Sequence, residues 1–156
     1  MSTNKSFSTE TSERYSRALF EVTKEAGELA QIEVDIKNFQ YLHNSSLELK
    51  NFIENPTHTI KTQNKILNLL SEKLSFSKNL KNFFLLLIKK RRIFFVKKIV
   101  ESFLRLCSKK RGEIKAELIS SKELTSVELE NISKELSSSM GSTIKFDYKV
   151  DKDLIG

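Results

Sequence analysis

The sequence predicts a mainly α-helical protein: an N-terminal six-helix bundle over residues 12–110, then a small, incomplete α/β C-terminal domain over residues 111–156. Three observations predict this fold class. One proline and four glycines in 156 residues leave room for long helices. Apolar residues recur at helical spacing as far as Cys107. After Gly112 they alternate with polar residues, as in a strand with one exposed face.

Composition excludes several classes of protein. Hydrophobic residues make up 38% and charged residues 30% of the chain, which is typical of a folded, soluble protein and not of a disordered one. Cys107 is the single cysteine, so an internal disulfide and a cysteine-based zinc site are excluded. The longest apolar run has six residues, and a membrane span needs roughly 20. We therefore expect no integral membrane segment.

The first two helices follow from apolar stripes. Residues 1–11 are polar and without periodicity, so they predict a disordered lead-in, with Ser12 as a plausible N-cap. Gly27 ends the first helix, and the second runs to about Leu42. The stripes of the two helices consist of Tyr15, Ala18, Leu19, Val22, Ala26, Leu29, Ile32, Ile36 and Phe39.

Four more helices complete the predicted bundle. A short third helix over residues 47–53 ends before Pro56, because proline disfavours helix in the residue before it. The fourth begins after Thr57 or Thr59, and Ser77 is the predicted N-cap of the fifth. The fifth and sixth helices are expected at about 78–90 and 93–110. Such short joints favour antiparallel neighbours.

The C-terminal part is predicted to be strand, helix, strand. Alternation around Ile114 gives the first strand and alternation around Phe146 gives the second. Between them, Thr125 and Glu128 match a capping box, and Gly141 ends the helix. Two strands and one helix are too little to bury a core unaided.

No pattern for catalysis, metal binding or cofactor binding is present. The phosphate-loop, dinucleotide-binding and zinc-protease motifs are all missing. His43 and His58 stand near helix ends without a partner at ligand spacing, so surface or capping roles are favoured. Cys107 lies on an apolar helix stripe, which favours a buried packing thiol. We expect no enzyme, no metal and no cofactor.

The stretch over residues 79–111 combines the densest apolar run with the densest basic run. Residues 78–115 hold 13 Lys and Arg but two acidic residues, within a chain of net charge +7. A nucleic-acid clamp would place residues 89–92 on phosphates and would stack Phe94 and Phe95 on bases. It is disfavoured, because these phenylalanines fall within helical periodicity, where core packing is the usual role, and no recognition module is legible. A membrane-surface helix is disfavoured, because the fifth helix is apolar nearly all round. The third interpretation is two core helices joined by a solvated basic corner.

The order of elements and five short motifs resemble the delta subunit of bacterial F-type ATP synthases, the family of the mitochondrial oligomycin-sensitivity-conferring protein. The resemblance covers residues 12–156, nearly the whole chain. Its motifs are RYSRALF at 14–20, FIENP at 52–56 followed by KIL at 65–67, NFFLLL at 82–87 followed by RI at 92–93 and RG at 111–112, ISSKELT at 119–125, and VDKDLIG at 150–156. The sequence departs from the family at Ser16, where alanine is usual, and the family's pattern continues past Gly156 with a further strand and helix.

The resemblance implies a non-catalytic stator subunit. Its helical domain would bind the N-terminal helix of an alpha subunit of the catalytic head, and its C-terminal domain would bind the b subunits of the peripheral stalk. The protein would lie on the cytoplasmic face of the cell inner membrane only through the complex, with no nucleic acid bound. The alternative function is a basic helical nucleic-acid-binding protein. By resemblance, the alpha-subunit helix would contact Tyr15, Ala18, Leu19, Val22, Phe83, Leu86, Leu87 and Lys90.

Overall fold

The computed structural model describes residues 6–154, apart from the side chain of Lys115. The chain divides into two compact units, Met1–Cys107 and Ser108–Gly156. The first is all helical and the second is α/β, so the predicted fold class is confirmed. The unit boundary comes three residues before the predicted end of the bundle at residue 110.

Six α-helices form the N-terminal unit, and the last of them ends three residues past the unit boundary. A single 3₁₀ turn at Ile93–Phe95 replaces the predicted start of the sixth helix. The helices are α1 Phe7–Glu25, α2 Leu29–Ser45, α3 Leu47–Glu54, α4 Ile60–Lys73, α5 Lys78–Lys89 and α6 Val96–Lys110.

The first helix begins earlier than the sequence predicts. Phe7 opens α1, with Ser6 at the N-cap position, so the described end of the supposed lead-in 1–11 is helical. The Phe7 ring lies 6.5 Å from the ring of Phe95, and this contact holds the first turn on the bundle. Ser12 is buried inside α1 and is not its cap. The part of the lead-in before Ser6 lies outside the described residues.

Within the helical unit, side-chain caps fix the starts of three helices. The hydroxyl of Ser77 accepts a hydrogen bond from the Leu80 amide, and that of Thr59 accepts one from the Thr62 amide. The Ser77 cap agrees with the sequence prediction, and Thr59 is one of the two residues after which α4 was expected to begin. Each cap satisfies an amide that has no partner inside its helix. Ser46 caps α3 in the same way.

An aromatic cluster forms the centre of the helical unit. Phe84 has no exposed surface, and its ring lies 4.9 Å from Phe39 and 5.7 Å from Phe76. Phe20 and Phe103 make a second, edge-on pair at 6.3 Å. Rings packed edge-on or tilted at these distances contribute beyond their buried area. Cys107 is buried, as predicted from its place on the α6 stripe.

The two histidines have different environments. His43 is 3% exposed and its ring lies 5.9 Å from that of Phe39, so the predicted surface or capping role is wrong. It follows Phe39 by four residues on α2 and therefore shares the buried face of that helix. His58 lies outside the helices, with its ring 4.5 Å from that of Phe52.

The C-terminal unit is a single β-α-β crossover. Strand β1 Glu113–Ser120 pairs in parallel with β2 Thr143–Val150, and α7 Ser126–Met140 connects them. Ile114 pairs with Ile144 in the register. The predicted capping box at Thr125 is present in full. The last two residues of the VDKDLIG motif lie outside the described residues.

The core of the C-terminal unit is thin. Ile144, at 4% exposure, is the single buried hydrophobic residue that the structure describes there, and α7 has no buried residue. Polar contacts supply other links. The Tyr148 hydroxyl accepts from the Leu124 amide and donates to the Lys122 carbonyl, at 2.7 and 3.0 Å.

An ion-pair cluster marks the start of β1. Glu113 accepts a hydrogen bond from Arg111 at 2.8 Å and pairs with Lys145 on β2 at 3.1 Å. The hydrogen bond from Arg111, followed by that from Lys145, lowers the pKa of Glu113 to about 2. The carboxylate thus joins the two strands through charge.

Candidate partner-binding groove

An open apolar groove lies between α1 and α5 on the helical unit. Its volume is about 310 Å³. Each helix contributes four residues to its lining: Tyr15, Ala18, Leu19, Val22, Asn79, Asn82, Phe83 and Leu86. The structure therefore brings together six of the eight residues that the family resemblance assigns to a partner helix.

The α1 wall is a stripe at helical spacing. Tyr15, Ala18 and Val22 are separated by three and four residues and so share one face of the helix. Ala18 is exposed, and Val22 is 54% exposed. Leu19, beside them, is 4% exposed and belongs to the core. The wall is thus an apolar strip in water that adjoins the buried face of α1.

The α5 wall has the same character. Phe83 is 8% exposed and Leu86 is 42% exposed. The Tyr15 ring meets the Phe83 ring edge-on at 6.5 Å, which joins the two walls. A partner that covered Val22 and Leu86 would remove apolar surface from water, which is favourable.

Two asparagines lie in the α5 wall, and the sequence analysis missed both. The side-chain amide of Asn79 donates to a carboxylate oxygen of Glu28 at 2.7 Å. Asn82 is exposed. The sequence prediction for this wall named three apolar residues and Lys90, although the spacing of Asn79, Asn82 and Leu86 (three, then four residues) places all three on one helix face.

Two predicted groove residues do not line the groove. Leu87 has no exposed surface, because it points from α5 into the core, and its truncation would affect stability instead of binding. Lys90 is exposed and caps the end of α5, where its amide donates to the Leu86 carbonyl. It therefore lies one turn beyond the lining.

A buried hydrogen bond fixes the α1 wall of the groove to α6. The Ser16 hydroxyl donates to the Ser102 hydroxyl at 2.8 Å, and both residues are buried. Ser16 is one residue from the exposed α1 stripe, and Ser102 is on α6. The bond depends on the Ser16 hydroxyl, which an alanine at this position would lack. It holds α1, and hence one groove wall, in place.

Residues 89–92 form a basic corner at the C-terminal end of α5. Arg91 has a positive φ of 56°, and its guanidinium donates to the His58 carbonyl at 2.9 Å. Arg92 lies 5.5 Å from the ring of Phe7. Cations at a helix C-terminus also interact favourably with the helix dipole. These contacts give the corner a structural role in turning the chain from α5 to α6.

Metal sites and membrane spans are both absent from residues 6–154. That part of the chain contains no group of three or more metal-binding side chains. Nor does any helix in it have the length and apolar character of a membrane span. The α1/α5 groove is therefore the strongest candidate for a functional surface.

Comparison with known proteins agrees with the resemblance. Residues 11–156 match the family described as ATP synthase delta (OSCP) subunit. An ATP synthase subunit delta from Pelagibacter ubique (strain HTCC1062) is 45% identical over all 156 residues, which span 84% of that relative. One from Rhodospirillum rubrum is 31% identical over the same coverage.

A solved structure supports the fold. A chain in the cryo-EM structure of the Toxoplasma gondii mitochondrial ATP synthase hexamer superimposes with a TM-score of 0.73. The match covers 90% of this chain and 77% of that one at 18% sequence identity, so it speaks for the fold alone. With the sequence relatives, the chain belongs to the ATP synthase delta (OSCP) subunit family.

Proposed function

We propose that this protein is a non-catalytic stator subunit of an F-type ATP synthase. It links the catalytic head to the peripheral stalk, so that the head does not turn with the rotor and proton flow stays coupled to ATP synthesis. Family membership supports the assignment of this chain to an ATP synthase complex. The observation that carries the mechanical role is the exposed apolar groove between α1 and α5.

The groove suits an amphipathic helix. From Tyr15 to Val22 the α1 wall is two turns long, about 10 Å at 1.5 Å per residue. A helix laid along it would present apolar residues at i, i+3 or i+4, and i+7. Each such anchor contributes about 1.5–3 kcal/mol when fully buried. The proposed occupant is the N-terminal helix of an alpha subunit of the head.

The C-terminal unit is the proposed contact for the b subunits. Its hydrophobic side chains are largely exposed, with Val127 at 67%, Met140 at 56% and Ile119 at 42%. Contact with a partner would bury surface that the small unit leaves in water. The protein would then reach the cytoplasmic face of the inner membrane through the complex.

Co-purification tests this function. A tagged full-length chain, expressed in its own bacterium, is expected to bring down alpha, beta and b subunits from detergent-solubilised membranes. An Ala18→Asp variant should recover less of the alpha and beta subunits, because a carboxylate in the groove must lose its water. Ala30→Asp is the matched control, since Ala30 is also an exposed alanine in a helix but lies on α2. Recovery of no ATP synthase subunit with the wild-type chain would refute the proposal.

A further inference from the structure

The outer face of α6 carries a row of charged side chains, none of which lines the α1/α5 groove. Lys97, Glu101 and Arg105 follow one another at four-residue spacing, so they share one face of the helix. Lys97 and Arg105 are exposed, and Glu101 is partly buried. Within residues 6–154 none of the three has an ion-pair partner. Packing of the bundle therefore does not account for the row.

The basic start of this row lowers the stability of the helix. Lys97 and Lys98 lie in the first turn of α6, which contains no acidic residue. Cations in this position are repelled by the positive end of the helix dipole. Lys98 donates to the Ser8 hydroxyl at 2.8 Å, and this neutral acceptor does not compensate its charge. A negatively charged partner would offset the repulsion, so binding explains the two lysines better than folding does.

An aromatic ring with exposed surface lies at the start of the row. Phe94 is 36% exposed and precedes Lys97 by three residues. Its ring lies 4.1 Å from that of Phe95, which fixes its position. A partner that covered Phe94 would remove apolar surface from water. The face thus offers an apolar contact beside its charges, whereas exposed charge pairs alone contribute little to binding.

The order of the charges selects the kind of partner. From Lys97 to Arg105 the row is positive, negative, positive over eight residues, which is about 12 Å of helix. A phosphate backbone or an anionic membrane surface is negative along its whole length, so either would repel Glu101. A protein helix can place a cation opposite Glu101 and a carboxylate one turn to each side of it. Charge complementarity therefore favours a protein helix over nucleic acid and lipid.

We propose that the outer face of α6 binds an acidic amphipathic helix of a partner protein. Two carboxylates of that helix, about two turns apart, pair with Lys97 and Arg105, and a Lys or Arg between them pairs with Glu101. An apolar residue of the same helix covers Phe94. The inference goes beyond the proposed function, because it uses no groove residue and does not require the partner to be a subunit of ATP synthase.

Photo-crosslinking in living cells tests this surface. The photoreactive residue p-benzoylphenylalanine replaces Phe94 in the tagged full-length chain, and the crosslinked peptides are identified by mass spectrometry. We expect a crosslink to a segment rich in Asp and Glu. Lys97→Glu combined with Arg105→Glu should lower its yield by at least about fivefold, because like charges then face each other. Lys61→Glu with Lys65→Glu, at two exposed lysines of α4, is the matched control and should leave the yield unchanged.

Glu101→Lys separates the kinds of partner. It makes the row uniformly basic, so the yield should fall by about threefold with the proposed helix but rise with nucleic acid or lipid. Circular dichroism of each purified variant checks that the helices are kept. An unchanged or higher yield, crosslinks to nucleic acid or lipid alone, or no crosslink to an acidic segment would overturn the proposal. None of these results bears on the proposed function, which the co-purification of ATP synthase subunits tests separately.

Discussion

The helical unit and the C-terminal unit are stabilised in different ways. In the helical unit, Phe39, Phe84 and Phe103 are almost fully buried within one continuous core. In the C-terminal unit the structure describes Ile144 as the single buried hydrophobic residue. Its strands are joined in addition by the charges around Glu113. Hydrophobic burial stabilises roughly in proportion to the apolar area removed from water, so the two units differ in their own stability.

This difference bears on how each unit can serve as a contact. A groove on a well-packed bundle keeps its shape before the partner arrives, so little of the binding free energy is spent on ordering it. A small unit with a thin core is expected to gain order when a partner covers its exposed side chains. As the proposed contacts, the helical unit would therefore offer a preformed surface and the C-terminal unit an adaptable one.

The largest expected effect is at the centre of the helical core. Phe84→Ala removes a fully buried ring that contacts Phe39 and Phe76, and it leaves a cavity. We expect the free energy of unfolding to fall by about 3–5 kcal/mol, measured by urea unfolding monitored by circular dichroism at 222 nm. Tyr41→Ala, at a residue 77% exposed, should change it by less than about 0.5 kcal/mol. Equal effects of the two substitutions would contradict the assigned core.

A smaller and more local effect is expected in the C-terminal unit. Ile144→Ala should cost about 2–3 kcal/mol and act mainly on that unit. Hydrogen exchange should become faster at the amides of β1 and β2, while those of α5 keep their protection. Val127→Ala, at a residue 67% exposed on α7, is the control. Faster exchange throughout α5 would show that the two units do not unfold independently.

The smallest effect is electrostatic. Because the pKa of Glu113 is lowered to about 2, its ion pairs stabilise the folded C-terminal unit above pH 4.5, and this contribution is lost as the pH falls towards 2. A carboxyl-carbon NMR titration should give Glu113 a midpoint near pH 2. Arg111→Met should raise that midpoint more than Lys145→Met, since the Arg111 hydrogen bond is the larger cause. A midpoint near pH 4.5 in the wild-type protein would contradict the ion pairs of Glu113 with Arg111 and Lys145.

Local signals were enough to predict most of the fold. The caps at Ser77 and Thr125 depend on residues within one turn, so the sequence shows them directly. The helix break before Pro56 and the change of period after Gly112 are local in the same sense. The order of helices and strands along the chain followed from these signals alone.

What the sequence could not predict depends on contacts between distant residues. The first turn of α1 is held by Phe95, which lies far along the chain from Phe7, so a polar segment without periodicity became helix. The burial of His43 depends on which face of α2 meets the core. Leu86 and Leu87 are neighbours with the same side chain, yet one is 42% exposed and the other fully buried. Composition cannot separate such a pair, because only the packed bundle decides which of them meets water.

The proposed stator role depends most on the α1/α5 groove, and one affinity measurement tests this role directly. The alpha-subunit N-terminal peptide is titrated into the wild-type protein, Ala18→Asp and Ala30→Asp, after circular dichroism has shown that all three keep their helicity. We predict saturable binding to the wild-type protein and to Ala30→Asp, with an affinity at least about tenfold weaker for Ala18→Asp, because its carboxylate must lose water at the interface. The same affinity for Ala18→Asp as for the wild-type protein would contradict the groove as the binding site.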